Sequence, residues 1–314
     1  MKILTRDNVA EGSNGDMLQG LALVSNVESA TTKNGKIYYR GTLNIKGSVE
    51  FKAWGGTSAS VKFANADYKG VVINLTSAEV NEYQGMKSIV ISDFKEVEEE
   101  DLANQNLTDG DFFEEKYNTN DLYLNLEKTI QSKCSEKAFQ IFKLIMEDGL
   151  VKDRFTKEFA AKGVHDNVRG GLIAHTFKTL RVVNSVTIYG NIMKRTDVDL
   201  LFLGTVFHDI GKIIEYSDGA ISDNGKILSH NISGVLLLTK YQKEISELKN
   251  DEFFNKLIAV ISQHHGEFGD RPRVVESYII HLADVFESRV ESLDEMLAMQ
   301  KDDSAVRMDG FQLH

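Results

Sequence analysis

The sequence is poor in cysteine and has no long apolar run. Its single cysteine, Cys134, excludes an intrachain disulfide, and no stretch reaches the roughly 18 consecutive apolar residues of a membrane-spanning helix. The N-terminus also lacks the apolar core of a secretory signal. We therefore expect a cytoplasmic protein without membrane contact. Cys134 is expected to pack within a helix, because no nearby base identifies it as a nucleophile.

With cysteine nearly absent, histidine and aspartate are the residues from which this chain would build a metal site. Most of its eight histidines lie in one stretch, interleaved with helix-like apolar periodicity. Imidazole and carboxylate ligands suit Mn²⁺, Fe²⁺, Co²⁺, Ni²⁺ or Zn²⁺, and the lack of thiolates argues against a structural zinc site. The candidate metal ligands are His175, His208, Asp209, His230, His264, His265 and Asp284.

The adjacent pair His208 and Asp209 is the most specific of these candidates. It lies in the segment 200–212, LLFLGTVFHDIGK, whose apolar spacing predicts a buried helical stripe. Burying both side chains without partners would be costly. Thr196 and Asp199 resemble a capping box that opens this helix. A carboxylate beside a histidine can bridge two ions, which together activate a water and stabilise a phosphoryl transition state.

Several of the other candidates also fall on predicted helices. Apolar spacing over 172–186 places His175 on an inward-facing stripe, and a second stripe over 254–261 runs into His264 and His265. A single histidine on such a helix is as readily a packed residue as a ligand, so the prediction depends on the clustering. Helices that converge on ligands are typical of a metal-carrying helical bundle.

The first part of the chain has the pattern of a small β-barrel. Five strand candidates with alternating apolar residues precede residue 96, and glycine turns separate them, which suggests meandering hairpins. About five short strands of this kind fit an OB-fold. The predicted strands are Met17–Asn26, Lys36–Ile45, Val49–Trp54, Gly70–Val80 and Met86–Phe94.

We therefore predict a multidomain α and β protein in three parts. They are an OB-fold nucleic-acid-binding domain over 1–96, an acidic linker over 97–115 and an all-α helical bundle over 116–314. Residues 1–95 carry 11 basic and 9 acidic side chains, whereas residues 96–115 carry nine acidic and no basic ones. Much of the net charge of −11 thus belongs to a segment typical of a solvated, flexible linker. The charge does not exclude a nucleic-acid partner.

Aromatic and basic side chains of the predicted barrel indicate a nucleic-acid surface. Aromatic rings stack on bases, and cations follow phosphates. A barrel core also needs aromatic residues, so Trp54 is alternatively a core residue. The candidate nucleic-acid contacts are Lys36, Tyr38, Arg40, Lys52, Trp54 and Tyr83.

The pattern of His175, the pair His208-Asp209 and Asp284 resembles the HD-domain metal-dependent phosphohydrolase superfamily. The run 208–212, HDIGK, is among the more specific forms of that pattern. The resemblance implies that the helical bundle is an HD domain. It further implies that the first histidine, the pair and the last aspartate hold one divalent ion.

The same resemblance implies a second ion and a substrate contact. Asp209, shared with the first ion, would hold the second together with His230 and one of His264 or His265. Lys212 is similar to the superfamily lysine that contacts a substrate phosphate. Alternatively, Lys212 is an exposed cation at a helix C-terminus.

An OB-like barrel followed by an HD domain resembles the YhaM-type 3′ to 5′ exoribonucleases over nearly the whole chain. The segments 51–54, 82–85 and 264–266 match that family's pattern, as do His165 and the run 170–172 that leads to the first ligand. The resemblance implies that His165 contacts the substrate or completes an exchangeable coordination position. Alternatively, His165 is a histidine of a surface loop.

The family resemblance implies a metal-dependent 3′ to 5′ exonuclease that hydrolyses single-stranded RNA, with DNA as the second choice, to mononucleotides. Its cofactors would be two divalent ions, Mn²⁺ first and Co²⁺, Fe²⁺, Ni²⁺ or Mg²⁺ as alternatives, with Asp209 bridging them at the catalytic centre. Alternative functions are an HD-type nucleotidase or nucleoside-triphosphate hydrolase, a di-iron oxygenase, and a non-catalytic nucleic-acid-binding module. The sequence leaves open whether the protein forms a homo-oligomer.

Overall fold

The computed structural model describes two compact units, Met1–Glu115 and Lys116–His314, each with its own hydrophobic core. Two features of the sequence predictions, His165 and the last two residues of the segment 82–85, lie outside the described residues. The predicted domain boundaries stay a prediction. The described residues are 2–32, 34–83, 86–160, 168–217, 220–266, 269–299, 306–308 and 311–313.

The first unit is a closed sheet with short helices. All five predicted strands are present within a few residues of their predicted ends. Its elements are β1 (Lys2–Ile3), α1 (Arg6–Ala10), β2 (Met17–Thr31), β3 (Ile37–Asn44), β4 (Ser48–Trp54), α2 (Ser58–Asn65), β5 (Val72–Tyr83), β6 (Met86–Glu96), α3 (Glu99–Asn104) and a 3₁₀ turn (Asp109–Phe112).

The order of the strands makes this unit an OB-fold. The sheet runs β1-β2-β3-β4-β6-β5, and an additional β2–β5 pairing closes it into a five-stranded barrel. The predicted fold class is therefore confirmed. The expectation of meandering hairpins is wrong at one place, because β4 pairs in parallel with β6 and helix α2 separates β4 from β5. A parallel pair needs such a crossover connection, which turn residues alone do not indicate.

Helix α2 closes one end of the barrel core. Thr57 caps it by accepting a hydrogen bond from the Ser60 amide. Phe63 on its buried face packs against Phe51 and Phe94, with ring centroids 5.4 and 4.9 Å apart. The helix thereby covers apolar rings that the strands leave at the end of the barrel.

The acidic segment after the barrel contains ordered structure. Helix α3 and the 3₁₀ turn lie in the range predicted as a linker, and Phe112 and Phe113 are buried. The backbone amide of Lys46 donates to the Phe112 carbonyl at 2.6 Å. These apolar residues give the segment contacts with the barrel that its charge run does not predict.

The second unit is a helical bundle, as predicted. Among its described helices, α9 is buried on every side and not only along the predicted stripe, because several other helices pack around it. The elements are α4 (Thr119–Lys133), α5 (Glu136–Met146), α6 (Gly149–Lys157), α7 (Gly171–Val186), α8 (Gly190–Met193), α9 (Val198–Phe207), α10 (Lys212–Glu215), α11 (His230–Thr239), α12 (Gln242–Leu248), α13 (Asp251–Gln263) and α14 (Val275–Met299), with the short strand pairs β7 (Tyr216–Ser217) with β8 (Ala220–Ile221) and β9 (Val306–Met308) with β10 (Phe311–Leu313).

The start of α9 differs from the predicted capping box. Asp197 is the N-cap and accepts from the Leu200 amide at 3.2 Å. Thr196 instead donates to the Ile192 carbonyl, and the buried carboxylate of Asp199 accepts from Ser135. The capping box was wrong because tertiary contacts, which are invisible in the local sequence, engage Asp199. In the described part of the chain, no helix combines the length and the apolar character needed to cross a membrane.

We predict that Asp93 ties α2 to the barrel. Its carboxylate accepts from Lys62 at 2.8 Å and from Ser58 at 2.6 Å, and these bonds lower its pKa to about 2. A depressed pKa stabilises the fold above the ordinary value of 3.8, and this stabilisation is lost as pH falls through about 2. Asp93→Asn should lower the free energy of unfolding at pH 7 by about 0.5–1 kcal/mol, because the pair is partly exposed.

The fluorescence of Trp54, the single tryptophan, reports urea unfolding of the barrel in the full chain. The difference between Asp93→Asn and the wild type should shrink between pH 5 and pH 2.5. Glu50→Gln removes one charge from an exposed position of β4 and serves as the control. An Asp93→Asn variant with the same stability as the control at pH 7 would refute the anchoring role.

Candidate metal centre

Five helices bring the predicted ligands to one place in the helical unit. His208 and Asp209 directly follow α9, so the buried central helix delivers them into the interior. The others come from α7, α11, the end of α13 and α14. The ligands on these elements are, in order, His175, His230, the doublet His264-His265 and Asp284.

The ligand atoms fall into two groups, within each of which they lie no more than 4.8 Å apart. The structure thus brings together all seven residues predicted from the sequence as metal ligands. One group is His175, His208 and Asp284, and the other is Asp209, His230, His264 and His265.

The carboxylate of Asp209 lies between the two groups. Its Oδ2 atom is 3.6 Å from Nε2 of His175 and 3.5 Å from Nε2 of His208. Its Oδ1 atom is 3.5 Å from Nε2 of His230 and 3.4 Å from Nε2 of His264. Each oxygen therefore faces one group, which is the arrangement a bridging carboxylate requires.

Hydrogen bonds outside the centre fix the histidine rings. Nδ1 of His208 donates to the Thr205 carbonyl at 2.7 Å, and Nδ1 of His264 donates to the Ile261 carbonyl at 2.8 Å. A proton on Nδ1 leaves Nε2 as a lone-pair donor for a metal. Since each carbonyl lies three residues before its histidine, the local helix geometry sets both tautomers.

Carboxylates hold the rings of His175 and His230 in the same way, through Nδ1. Nδ1 of His175 lies 2.6 Å from Glu287 Oε2, and Nδ1 of His230 lies 2.9 Å from Glu215 Oε2. Neither glutamate was predicted from the sequence. Glu287 follows the ligand Asp284 by three residues on α14, so both share one helix face, and this spacing was the signal available for Glu287.

The contacts inside the centre suit a cation. Nε2 of His175 is 3.3 Å from Nε2 of His208, and Nε2 of His230 is 3.0 Å from Nε2 of His265. At these distances each pair of nitrogens can share either a proton or a metal ion. Within the described residues, Asp209 Oδ1 and His264 Nε2 are buried without a hydrogen-bond partner. A divalent metal ion would satisfy all of these atoms, so the residues fit a metal.

Burial and charge set the protonation of the ligands. Burial lowers the pKa of His208, and it lowers the pKa of His264 to about 4, so both imidazoles are neutral and able to ligate. Burial alone would lower the pKa of His175, but hydrogen bonds to Asp284 and Glu287 raise it to about 10. The carboxylates of Asp284 and Glu287 therefore favour positive charge at His175.

Lys212 adjoins the bridging carboxylate. Its Nζ atom lies 2.6 Å from Asp209 Oδ2, and the side chain is largely buried. Burial opposes the charge on Lys212, but Asp209 raises its pKa above the ordinary value. Burial likewise opposes ionisation of Asp209, but Lys212 and the nearby histidines hold its pKa well below the usual range. The structure places Lys212 beside the candidate metal centre, and its phosphate contact stays a prediction.

His281 and Gly266 support the histidine doublet. Nδ1 of His281 donates to the His264 carbonyl at 2.8 Å. A Cβ atom at Gly266 would lie 2.4 Å from the His281 ring, and Gly266 has a φ of +57°. The turn that presents His264 and His265 therefore requires glycine.

The candidate nucleic-acid contacts of the barrel lie in two places. Tyr38 pairs with Trp54 and Arg40 pairs with Lys52 across β3 and β4, so these four side chains share one face. The rings of Tyr38 and Trp54 have centroids 5.1 Å apart, and Trp54 is 42% exposed rather than a core residue. Lys36 directly precedes β3 at the same end of this face.

Tyr83 lies at the other end of the barrel. It pairs with Met86 at the β5–β6 connection, and β6 runs parallel to β4 with Phe51 beside Ile89. This register places Met86 level with the first residue of β4, whereas Trp54 is the last residue. The two ends of β4 are about 20 Å apart at the usual rise of about 3.3 Å per residue. The structure therefore does not bring Tyr83 to the Tyr38–Trp54 pair.

Comparisons with known proteins agree with this architecture. Residues 172–289 match the family model of the HD domain, and this range contains all seven candidate ligands. A protein named 3′-5′ exoribonuclease YhaM from Listeria welshimeri is 25% identical over 299 residues, which cover 91% of this chain and 90% of the relative. A protein of the same name from Halalkalibacterium halodurans is 23% identical over 297 residues, which cover 90% of this chain and 87% of the relative. Over about nine-tenths of its length the chain is thus similar to proteins named YhaM 3′-5′ exoribonucleases.

Solved structures of OB domains are similar to part of this chain. An OB domain from Thermoplasma acidophilum is 13% identical and covers 30% of this chain and 86% of its own, with a TM-score of 0.23. The second OB-fold domain of replication protein A from Methanococcus maripaludis is 15% identical and covers 27% and 85%, with a TM-score of 0.20. These scores are too low to support an argument about the fold. The assignment of the OB-fold rests on the strand order of the barrel.

We predict that Glu287 and Glu215 control the metal affinity of this centre. Glu287→Gln and Glu215→Gln keep the shape of each side chain but weaken the acceptor that holds Nδ1 of the ligand histidine. Each should lower the affinity for Mn²⁺ about 10- to 100-fold, as measured by isothermal titration calorimetry on metal-stripped protein.

Glu127→Gln is the matched control, because Glu127 pairs with Lys143 on helices that carry none of the ligands. Thermal unfolding in EDTA checks that all three variants fold. Wild-type Mn²⁺ affinity in a folded Glu287→Gln variant would exclude this role of Glu287.

Proposed function

We propose that the protein is a metal-dependent 3′ to 5′ exonuclease that hydrolyses single-stranded RNA to mononucleotides. The observation that carries this proposal is the position of the Asp209 carboxylate between two groups of histidine ligands. The relatives that match about nine-tenths of the chain are named 3′-5′ exoribonucleases, which supports the direction and the polymer.

The proposed cofactors are two divalent ions, Mn²⁺ first, with Co²⁺, Fe²⁺, Ni²⁺ or Mg²⁺ as alternatives. Such ions, when bound, activate water and stabilise charge on a phosphoryl group. One would be held by His175, His208 and Asp284 and the other by His230, His264 and His265, with Asp209 shared. The mixed imidazole and carboxylate set supports this choice of metals.

The residues of the chain supply geometry and charge for the reaction. Asp209 stays ionised inside the bundle because Lys212 and the surrounding histidines stabilise its charge. The Lys212 ammonium group lies on the same side of the centre as Asp209 Oδ2, where it can donate to a phosphate oxygen of the substrate. Fixed positive charge beside the reacting phosphate stabilises its transition state without reorganisation.

We propose that the barrel holds the RNA. OB-folds bind oligonucleotides on the face of their second and third strands and at the loops that follow the first and fourth strands. Here these strands are β3 and β4, and their face carries Tyr38, Trp54, Arg40 and Lys52. Lys36 is the last residue of the first of these loops, and Tyr83 is the last residue of the strand before the second. Rings for stacking and cations for phosphates thus share the β3–β4 face.

We predict that Asp209→Ala abolishes cleavage and retains RNA binding. Removing the shared carboxylate should lower the rate about a thousandfold or more, as measured with 5′-labelled single-stranded RNA and Mn²⁺. Fluorescence anisotropy in EDTA should give unchanged RNA affinity, because the barrel is untouched. Asp223→Ala, which removes a fully exposed aspartate, is the control.

The substrate is tested with the same protein. Wild-type protein should shorten the labelled RNA from its 3′ end and leave free nucleoside triphosphates intact. Hydrolysis of the triphosphates alone would instead establish a nucleotidase, and cleavage by Asp209→Ala would overturn the assignment of the centre.

We predict that the Tyr38 and Trp54 rings stack on bases. Replacing both with alanine should weaken single-stranded RNA binding about tenfold or more, since stacking on an aromatic ring contributes about 1–3 kcal/mol per base. The Mn²⁺ affinity measured by calorimetry should not change. Tyr189→Ala removes an exposed aromatic ring from the helical unit and is the control. Equal RNA affinity for the double variant and this control would exclude the β3–β4 face.

A further inference from the structure

We propose that a groove between α4 and α7, separate from the metal centre, binds a nucleoside monophosphate. The groove has a volume of about 630 Å³, which lies in the usual range for small-ligand sites. Its walls come from two helices of the same unit. The lining residues are Asn125, Lys128, Thr129, Ser132, Lys133, Phe177, Leu180, Arg181, Asn184 and Ser185.

One face of each helix forms the groove. The lining positions recur every three or four residues along α4 and along α7, as expected for a single helix face. His175, the metal ligand on α7, precedes Phe177 by two residues, and two residues turn a helix by about 200°. The groove and the metal centre therefore lie on different sides of α7.

The groove concentrates positive charge without a counter-charge. Lys128, Lys133 and Arg181 line it, and no lining residue is acidic. In the part of the chain that the structure describes, none of the three makes an ion pair, whereas Lys143, Lys178 and Lys249 of the same unit all do.

The positive charge of the groove is opposite in sign to the net charge of the whole helical unit. Residues 116–314 contain 25 basic and 29 acidic side chains. Three like charges around one groove repel each other, and a bound anion removes this repulsion. The anion would be phosphate-like, because lysine and arginine together provide several charge-assisted donors.

The hydroxyl groups of the groove have their hydrogens engaged elsewhere. Thr129 donates to the Asn125 carbonyl at 2.7 Å, and Ser185 donates to the Val182 carbonyl at 2.6 Å. Their oxygens still have lone pairs, so toward a ligand they act as acceptors. The groove thus combines cations for a phosphate with acceptors for amino groups such as those on a nucleobase.

An apolar floor completes the ligand chemistry. Phe177 is half-buried and Leu180 is buried, and both line the groove. A flat ring can pack against this floor while its phosphate reaches the cations. Ring, amino group and phosphate together define a nucleotide.

The surroundings favour a single nucleotide over a longer strand. Asp121 lies one turn before Asn125, near the start of α4, and Glu136 follows Lys133 at the start of α5; both are exposed. These carboxylates flank the positive segment of α4. A polyanion that continued along α4 in either direction would meet negative charge, whereas a mononucleotide fits between the two carboxylates.

The test is titration of adenosine 5′-monophosphate into the metal-free full chain by calorimetry in EDTA. The double variant Lys128→Gln/Arg181→Gln should lose affinity about tenfold or more, because two charge-assisted contacts are removed. Lys240→Gln/Lys243→Gln, with the same charge change at exposed positions, should bind like the wild type. Asp209→Ala should also bind like the wild type, which separates this groove from the metal centre and from the proposed nuclease activity.

Three results would overturn the proposal. The first is no binding of adenosine 5′-monophosphate by the wild type. The second is equal affinity for the groove variant and its control when thermal unfolding shows that both are folded. The third is a groove variant that loses affinity for single-stranded RNA alone, which would assign the groove to the polymer.

Discussion

The buried carboxylate of Asp209 is the group around which the helical unit is arranged. An ionised carboxylate in a protein interior is stable only with compensating charge and hydrogen bonds. Here Lys212, the adjacent His208 and histidines from three other segments surround it. The buried helix α9 inserts this polar pair into the core, where Lys212 and the nearby histidines stabilise the charge of the carboxylate.

The histidine rings around this carboxylate are fixed by hydrogen bonds at Nδ1, the ring nitrogen that faces away from the centre. Helix carbonyls fix His208 and His264, and the glutamates Glu287 and Glu215 fix His175 and His230. All four present Nε2 to the centre, so the site is organised before a metal binds. Such preorganisation lowers the conformational cost of binding and sets the positions that the reaction needs.

Much of this centre was predictable from the sequence, because the ligands are rare residue types on helices with clear apolar periodicity. The OB-fold was also predictable, since strand alternation and glycine turns mark its five strands. The parallel β4–β6 pair and α2 were missed because the local pattern does not encode which strands meet. The role of Asp199 was misjudged for the same reason, since its partners Ser135 and Lys249 are distant in sequence. Glu215 gave no signal, because its distance from His230 along the chain is not that of a helix face.

Anomalous X-ray diffraction from crystals soaked in Mn²⁺, recorded at the manganese absorption edge, tests the central claim most directly. The account predicts two anomalous peaks on opposite oxygens of Asp209, one among His175, His208 and Asp284 and the other among His230, His264 and His265. The absence of any peak at Asp209, or a peak bound only by other residues, would contradict it.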